Sequence, residues 1–176
     1  PKLEQKEIHP LDDQQVAALL NAARGGDMEN LIPVALFTGC RLSELLGLTW
    51  GAEDFKRGTI TINQQLARPE HRGATPFISP KNGKTRTITP AAPVMTTLKK
   101  QQRRQMEQQL KSGALWNNPH HMVFSTEIGE PLDQWKAEKE FSAVLEVAGL
   151  DGIRFHDLRH TYAVNAIRAC LLYTSD

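Results

Sequence analysis

Two short segments place arginine and histidine in patterns that can hold a phosphate group. HDLRHTYA, residues 156–163, contains His156 and Arg159, and TGCRLSELLGLTW, residues 38–50, contains Arg41. A guanidinium forms two parallel charge-assisted hydrogen bonds and stays protonated, so it suits a phosphate that gains negative charge during a reaction. The two segments therefore predict phosphoryl transfer.

The later segment offers an acid–base group beside its arginine. His156 and Arg159 are spaced i, i+3 and share one face of a helix. His156 can act as acid or base near neutral pH, and Arg159 can bind a second phosphate oxygen. His160 is at i+4 from His156, a spacing that also suits a metal pair. The HExxH glutamate and a third ligand are missing, so we expect no metal. His160 either packs against a neighbouring helix or supports Arg159.

The earlier segment pairs its arginine with an acid. Arg41 follows Gly39-Cys40 and is expected to project from the start of a helix into a cleft. Glu44, three residues later, can brace the guanidinium or a neighbouring backbone donor. The alternative for this pair alone is an ordinary surface ion pair.

Periodicity predicts the elements that must position these residues. Apolar spacing indicates a first helix after the cap Asp12, then helices from Leu31 to Phe37 and from Ser43 to Leu48. Further helices are indicated from Val94 to Leu110, around Phe141 to Ala148 after the cap Asp133, and from His156 to about Arg168. Gly39 and Gly149 are the expected stops after Phe37 and Ala148. The cap of the helix from Ser43 is expected to be Thr38 or Ser43 itself. Alternation predicts strands over 59–66, 77–79 and 85–88. We expect one mainly helical α+β domain with a small three-stranded antiparallel sheet.

A basic hairpin is predicted between the last two strands. Lys81-Asn82-Gly83-Lys84 contains Asn-Gly, which accepts the positive φ angles of a type I′ turn. Lys81, at the tip, can give a proton to a leaving oxygen. The alternative, a solvated turn lysine, is favoured from the residue alone. Lys84 and Arg86 are rivals for that role, or phosphate contacts that position a partner without specifying sequence.

Composition and charge fit a protein that binds a polyanion. The 176 residues are 40% hydrophobic and 23% charged, without an apolar run long enough for a membrane span. The net charge, counted from Lys, Arg, Asp and Glu, is −5 for residues 1–54, +10 for residues 55–106 and −4 for residues 107–176. The basic middle suggests nucleic acid, with a solvated face as the alternative. Cys40 and Cys170 lack framework spacing and are expected to be reduced thiols of a cytoplasmic protein.

The combination of TGCRLSELLGLTW, SPKNGKTRTITP and HDLRHTYA resembles the tyrosine recombinases, the phage-integrase family of DNA breaking and rejoining enzymes. The resemblance covers about residues 11–169 and implies a catalytic domain there. It implies that four residues are catalytic, namely Arg41, Lys81, His156 and Arg159. It further implies that Glu44 and His160 support them, and that Lys84 and Arg86 contact DNA.

The resemblance also implies a reaction. A tyrosine attacks the scissile phosphate and forms a 3′-phosphotyrosyl bond, and no metal or nucleotide cofactor is needed. The implied partner is double-stranded DNA, with four subunits acting on two duplexes. Two other functions stay open from the residues, a non-catalytic DNA-binding module and a type IB topoisomerase-like enzyme.

The sequence departs from the family pattern near its end. Only 17 residues follow Arg159, and no Leu-Gly-His motif is among them. We expect residues 1–10 to be a linker remnant, 11–169 to be a catalytic domain that is incomplete at its C-terminus, and 170–176 to be a tail whose native origin stays open. Tyr173 is not assigned as the nucleophile, which stays unknown, and the fragment is expected to be inactive alone.

Overall fold

The computed structural model describes residues 10–81 and 83–173. The expected linker remnant therefore lies almost wholly outside the described residues, as do Asn82 and the last three residues. The described residues form the helices α1 Asp13–Ala22, α2 Leu31–Thr38, α3 Leu42–Leu46, α4 Ala92–Ser112, α5 Gln134–Ala148 and α6 Phe155–Tyr173. The strands are β1 Glu53–Asp54, β2 Thr59–Ile62, β3 Gln65–Leu66, β4 Phe77–Ile78 and β5 Arg86–Ile88. The predicted α+β class, mainly helical with a small antiparallel sheet, is confirmed.

Helix α2 is the centre of the hydrophobic core. Five of its eight residues are buried apolar side chains, which are Leu31, Ile32, Val34, Ala35 and Leu36. Helices α4 and α6 pack against it, while α1 packs against α5. The start of α6 is fixed in this core because Phe155 packs edge-to-face on Phe141, with ring centroids 5.1 Å apart.

Local signals set several helix ends as the sequence predicts. Asp12 caps α1 through a reciprocal capping box, in which its carboxylate accepts from the Gln15 amide at 2.8 Å. Helix α2 ends at Gly39, which has φ of 64°, and α5 ends at Gly149, which has φ of 68°. Both glycines adopt the left-handed conformation that closes a helix at little steric cost.

The predicted cap of α3 is wrong. The helix begins at Leu42 with Arg41 as its N-cap residue, whereas neither Thr38 nor Ser43 caps it. The Thr38 hydroxyl donates to the Val34 carbonyl of the preceding helix, at 2.6 Å. The free N–H of Arg41 is instead satisfied by the Glu44 carboxylate at 2.9 Å. A glutamate in the first turn has therefore replaced the expected cap.

The predicted sheet has the right size but partly the wrong members. The three-stranded antiparallel sheet has the order β1-β2-β5, with Ile60 opposite Ile88 and Ile62 opposite Arg86. Strand β1 was not predicted. The predicted strand at 77–79 forms β4, which pairs with β3 in a separate two-stranded sheet.

The tight hairpin predicted around Asn82-Gly83 is also wrong, because the strands on its two sides have different partners. Proline has no N–H to donate to a ladder, and Pro80 lies two residues after the end of β4. Residues 79–81 and 83–85, which we call the Lys81 loop, lie between β4 of one sheet and β5 of the other. The turn at Gly83 is closed by its amide, which donates to the Pro80 carbonyl at 2.7 Å.

Across residues 10–81 and 83–173, none of the helices combines the length and the apolar character that a membrane crossing requires.

Gly39 is constrained twice, by its backbone angle and by its neighbour. A Cβ built on it would lie 2.3 Å from the Tyr162 ring. We expect Gly39→Ala to lose about 1–2 kcal/mol of unfolding free energy from the left-handed backbone, and roughly 1–3 kcal/mol more from overpacking. Gly25→Ala is the matched control, since Gly25 has φ of 73° but no atom within 4 Å of the added Cβ. Equal losses in urea unfolding would contradict the packing constraint.

Candidate active site

Three of the four predicted catalytic residues line one cleft. Arg41 precedes α3, whereas His156 and Arg159 lie on the first turns of α6, more than 110 positions later in the chain. The cleft has a volume of about 170 Å³, and its other lining residues are Cys40, Leu42, Ser43, Gln134, Glu138 and Phe155. The fold thus brings together two guanidinium groups and an imidazole, which can surround a single phosphate group.

Arg159 is held at the junction of two helices. Its Nη1 donates a hydrogen bond to the carbonyl of Gly39, the residue that ends α2. The helix around it is tied to the start of the chain because the Thr161 hydroxyl accepts from the Leu11 amide at 3.0 Å. The side chain is therefore oriented before any ligand arrives.

The beginning of α6 is organised by Asp157. Its carboxylate accepts from the Arg154 amide at 2.8 Å and from the Arg154 guanidinium at 3.0 Å. Burial alone would raise the pKa of Asp157, but the hydrogen bonds from Arg154 outweigh that effect and lower it. Asp157 thus stays charged and closes the first turn, which carries His156.

His156 lies at the mouth of the cleft with an exposed side chain. Its pKa is lowered, first by partial desolvation and then by the positive charges of His160 and Arg159. The imidazole rings of His156 and His160 meet edge-to-face at 4.9 Å. The neutral form of His156 is thereby favoured near pH 7, and in that form it can accept a proton.

Glu44 is the buried acid of the site. Its side chain is fully inaccessible, and it accepts from the Arg41 amide at 2.9 Å and from the Arg41 Nη1 at 3.2 Å. Arg86 donates to both of its oxygens, at 2.9 and 2.8 Å. Burial alone would raise the pKa of Glu44, but these donors lower it to about 2. The surface ion pair that the sequence left open is therefore not what the structure shows.

The remaining predicted residues lie outside the cleft lining. Lys81 and Lys84 are exposed on the Lys81 loop. Arg86, at the start of β5, is bound to Glu44, and this contact raises its pKa. The predicted role of these three residues at DNA therefore stays a prediction.

Sequence reasoning missed several residues near the site. Ser43, Gln134 and Glu138 line the cleft, while Gln65 bridges to Ser43 at 3.1 Å. No motif marked these polar side chains, since their roles depend on contacts between distant elements. Cys40 is buried in the cleft wall, and burial raises the pKa of its thiol.

The two tyrosines occupy different parts of α6. The side chain of Tyr162 is 40% exposed, and its ring covers Gly39. Tyr173 is the last residue of α6, 14 positions after Arg159. At a rise of about 1.5 Å per residue, the helix separates their backbones by about 21 Å.

Within the described part of the chain, no group of three or more His, Cys, Asp or Glu side chains is arranged to hold a metal ion. His156 and His160 therefore have no third candidate ligand among these residues.

Comparison with known proteins identifies the family. The sequence pattern of the phage integrase family matches residues 9–171. A tyrosine recombinase XerC-like protein of Caldanaerobacter subterraneus subsp. tengcongensis is 29% identical over 167 residues, which cover 89% of this chain and 43% of that protein. An integrase of Streptomyces ambofaciens is 32% identical over 157 residues, covering 84% and 39%. The chain thus spans less than half the length of these curated relatives.

Solved structures share the fold. The Tn1549 transposon integrase in complex with transposon right end DNA superposes with a TM-score of 0.77 at 21% identity, covering 96% of this chain and 56% of that one. The lambda integrase catalytic core gives 0.61 at 19% identity, covering 88% and 80%. The chain belongs to the phage integrase family, and its fold is that of the tyrosine recombinase catalytic domain, as the sequence resemblance implied.

The buried carboxylate makes a pH-dependent contribution to stability. The pKa of Glu44 falls from 4.5 to about 2 on folding, which corresponds to a stabilisation on the order of 3 kcal/mol. Since the folded pKa is the lower one, this contribution is present above pH 4.5 and is lost as the pH falls towards 2. We expect the stability difference between wild type and Glu44→Gln to shrink by about 2 kcal/mol between pH 6 and pH 3.

Urea unfolding at both pH values measures this difference, with Glu107→Gln on the exposed side of α4 as the control. A difference that stays constant with pH would show that Glu44 is not a buried ion.

Proposed function

We propose that this chain is a recombinase catalytic domain that binds double-stranded DNA and holds the scissile phosphate in the cleft between α3 and α6. The observation that carries the proposal is the convergence of Arg41, His156 and Arg159 on one small cleft. The family match supports the same conclusion. The complexes of related integrases with DNA add support for the partner.

In the proposed reaction, each of these side chains acts on a different atom. Arg41 and Arg159 bind the two non-bridging oxygens and offset the negative charge that grows as a fifth oxygen approaches phosphorus. A tyrosine oxygen forms a bond to phosphorus while the bond to the 5′ oxygen breaks. Lys81 gives its proton to the leaving 5′ oxygen. His156 is poised to accept the proton of the attacking hydroxyl, because its lowered pKa favours the neutral form.

The supporting residues act through these four. Glu44 orients Arg41 and leaves its outer donors to the phosphate, while His160 supports His156 through the edge-to-face contact of their rings. Lys84, which is part of the Lys81 loop, contacts the DNA backbone. Rejoining reverses the same steps, since the phosphotyrosyl bond keeps the energy of the broken phosphodiester. We propose residues 11–169 as the extent of this domain, and four such domains on two duplexes as the working assembly.

Neither tyrosine of this chain suits the attacking role. Tyr162 packs against Gly39. The α6 backbone at Tyr173 is about 21 Å from that at Arg159, which is too far for both side chains to meet at one phosphate. We propose that the 176 residues alone bind DNA without cleaving it.

Binding to duplex DNA tests the role of the cleft. We expect Arg159→Ala to weaken binding about 10- to 100-fold, because a charge-assisted contact contributes about 1.5–3 kcal/mol. The slope of log K against log salt should become shallower by about one, which is the contribution of a single phosphate contact. Arg159→Lys tests whether the bidentate fork matters beyond the charge.

Arg168→Ala is the matched control, since Arg168 is exposed on the same helix. Binding titrations at about 50 to 200 mM salt measure the affinity for duplex DNA and its dependence on salt. If Arg159→Ala and Arg168→Ala have the same small effect, the cleft does not bind the phosphate.

Covalent trapping tests the nucleophile. A nicked duplex that carries the element's own crossover site should give no covalent protein–DNA band on a denaturing gel with this chain. Tyr173→Phe is the control. A wild-type band that disappears in Tyr173→Phe would make Tyr173 the nucleophile and would contradict the helix geometry.

A further inference from the structure

We infer that Gln65 and Arg86 are positioning residues that anchor the two ends of the Lys81 loop to α3, and so fix the place of Lys81 relative to Arg41. The inference rests on the proposed function in one respect, the role of Lys81 at the phosphate. The anchoring itself depends only on the contacts described below.

The first anchor holds the start of the loop. The Ser43 hydroxyl donates to the side-chain oxygen of Gln65 at 3.1 Å. The amide nitrogen of the same side chain donates to the carbonyl of Ser79 at 3.0 Å. Gln65 thus uses both ends of its amide to join α3 to the first residue of the loop.

The second anchor holds the end of the loop. Arg86 directly follows the loop, and its guanidinium donates to both oxygens of Glu44, at 2.9 and 2.8 Å. This bidentate contact is charge-assisted and fixes the direction as well as the distance between the two groups. Because Glu44 is buried, water competes little for the same oxygens.

Both anchors reach the same helical turn. Ser43 and Glu44 are neighbours in the first turn of α3, immediately after Arg41. Because both ends of the loop are bound to one helical turn, the loop has fewer accessible conformations. Less conformational entropy is therefore lost when Lys81 is held at the phosphate. The position of Lys81 is thereby set from the element that also presents Arg41 to the cleft.

Neither anchoring side chain lines the cleft. Gln65 and Arg86 therefore act through the loop and through Glu44. This assignment differs from the sequence prediction for Arg86, in which its guanidinium contacts DNA. With two donors bound to Glu44, Arg86 has a structural partner inside the protein.

The order of the loop provides the first test. The ¹⁵N relaxation order parameter of the Gly83 amide should be near about 0.85 in the wild type, the value of a rigid backbone, and should fall towards about 0.6 in Gln65→Met and in Arg86→Gln. Gln64→Met is the matched control, because Gln64 is adjacent but donates to the Gly47 carbonyl at 2.9 Å. Arg103→Gln, at an exposed position of α4, controls for the loss of one charge.

A double-mutant cycle provides the second test, on the binding of duplex DNA. Lys81→Ala should weaken binding about fivefold in the wild type and in Gln64→Met, the gain expected of one exposed ion pair. It should have less than about a twofold effect in Gln65→Met, because the lysine is no longer held in place. A residue that only stabilises the fold would not remove the effect of Lys81 selectively.

The outcomes separate the two proposals. An unchanged Gly83 order parameter in both anchor variants, or a Gly83 amide that is already mobile in the wild type, overturns the anchoring. An equal effect of Lys81→Ala in all backgrounds overturns the positioning role. If neither the wild-type protein nor any variant binds duplex DNA, the proposed function is wrong. The relaxation data then still decide whether the loop is anchored. Arg86→Lys serves if Arg86→Gln does not fold.

Discussion

The site depends on one buried carboxylate with a full set of donors. Glu44 is inaccessible to solvent, and desolvating a charged group costs several kcal/mol unless good partners compensate. Its partners are the amide and guanidinium of Arg41 and the guanidinium of Arg86. The same ion therefore starts α3, orients the arginine of the cleft and connects the sheet to the helix. Removal of either arginine leaves an incompletely compensated charge, so the three residues act as a unit.

The charge asymmetry of the sequence has a second explanation in the fold. Three arginines from the basic segment 55–106 pair with acids of the two flanking segments that lie more than 40 positions away in the chain. Arg86 binds Glu44, Arg72 binds Asp133 at 2.6 Å, and Arg104 binds Asp27. Part of the basic excess thus connects distant parts of the chain. The sequence balance of +10 therefore overstates the positive charge that this segment can offer to a polyanion.

Local signals made much of the fold and part of the site predictable. The capping box at Asp12 and the glycine that ends α2 are encoded within a few residues, so the helix ends there follow from sequence. His156 and Arg159 are also close in the chain, and a helix places them together. The strand pairing could not be read in this way, because Asn-Gly at 82–83 signals a tight turn whatever partners the flanking strands find.

The anchors of the Lys81 loop were equally hidden in the sequence. In the sequence, Gln65 is an ordinary polar residue of a strand. Its role becomes visible only in the fold, where it is hydrogen-bonded to both Ser43 and Ser79. Arg86 is one of several basic residues near a turn until a buried acid is found within reach. Such roles depend on pairs of residues far apart in the chain, and a single sequence carries no local mark of them.

The central claim is that one phosphate occupies the cleft between α3 and α6. NMR spectra of the arginine Nε–Hε groups and the histidine ring signals, recorded during titration with a short DNA duplex, test it most directly. The claim predicts that Arg41, Arg159 and His156 shift together, with the same apparent Kd. Shifts confined to the exposed basic residues of α4, such as Lys100 and Arg103, with none in the cleft, would contradict it.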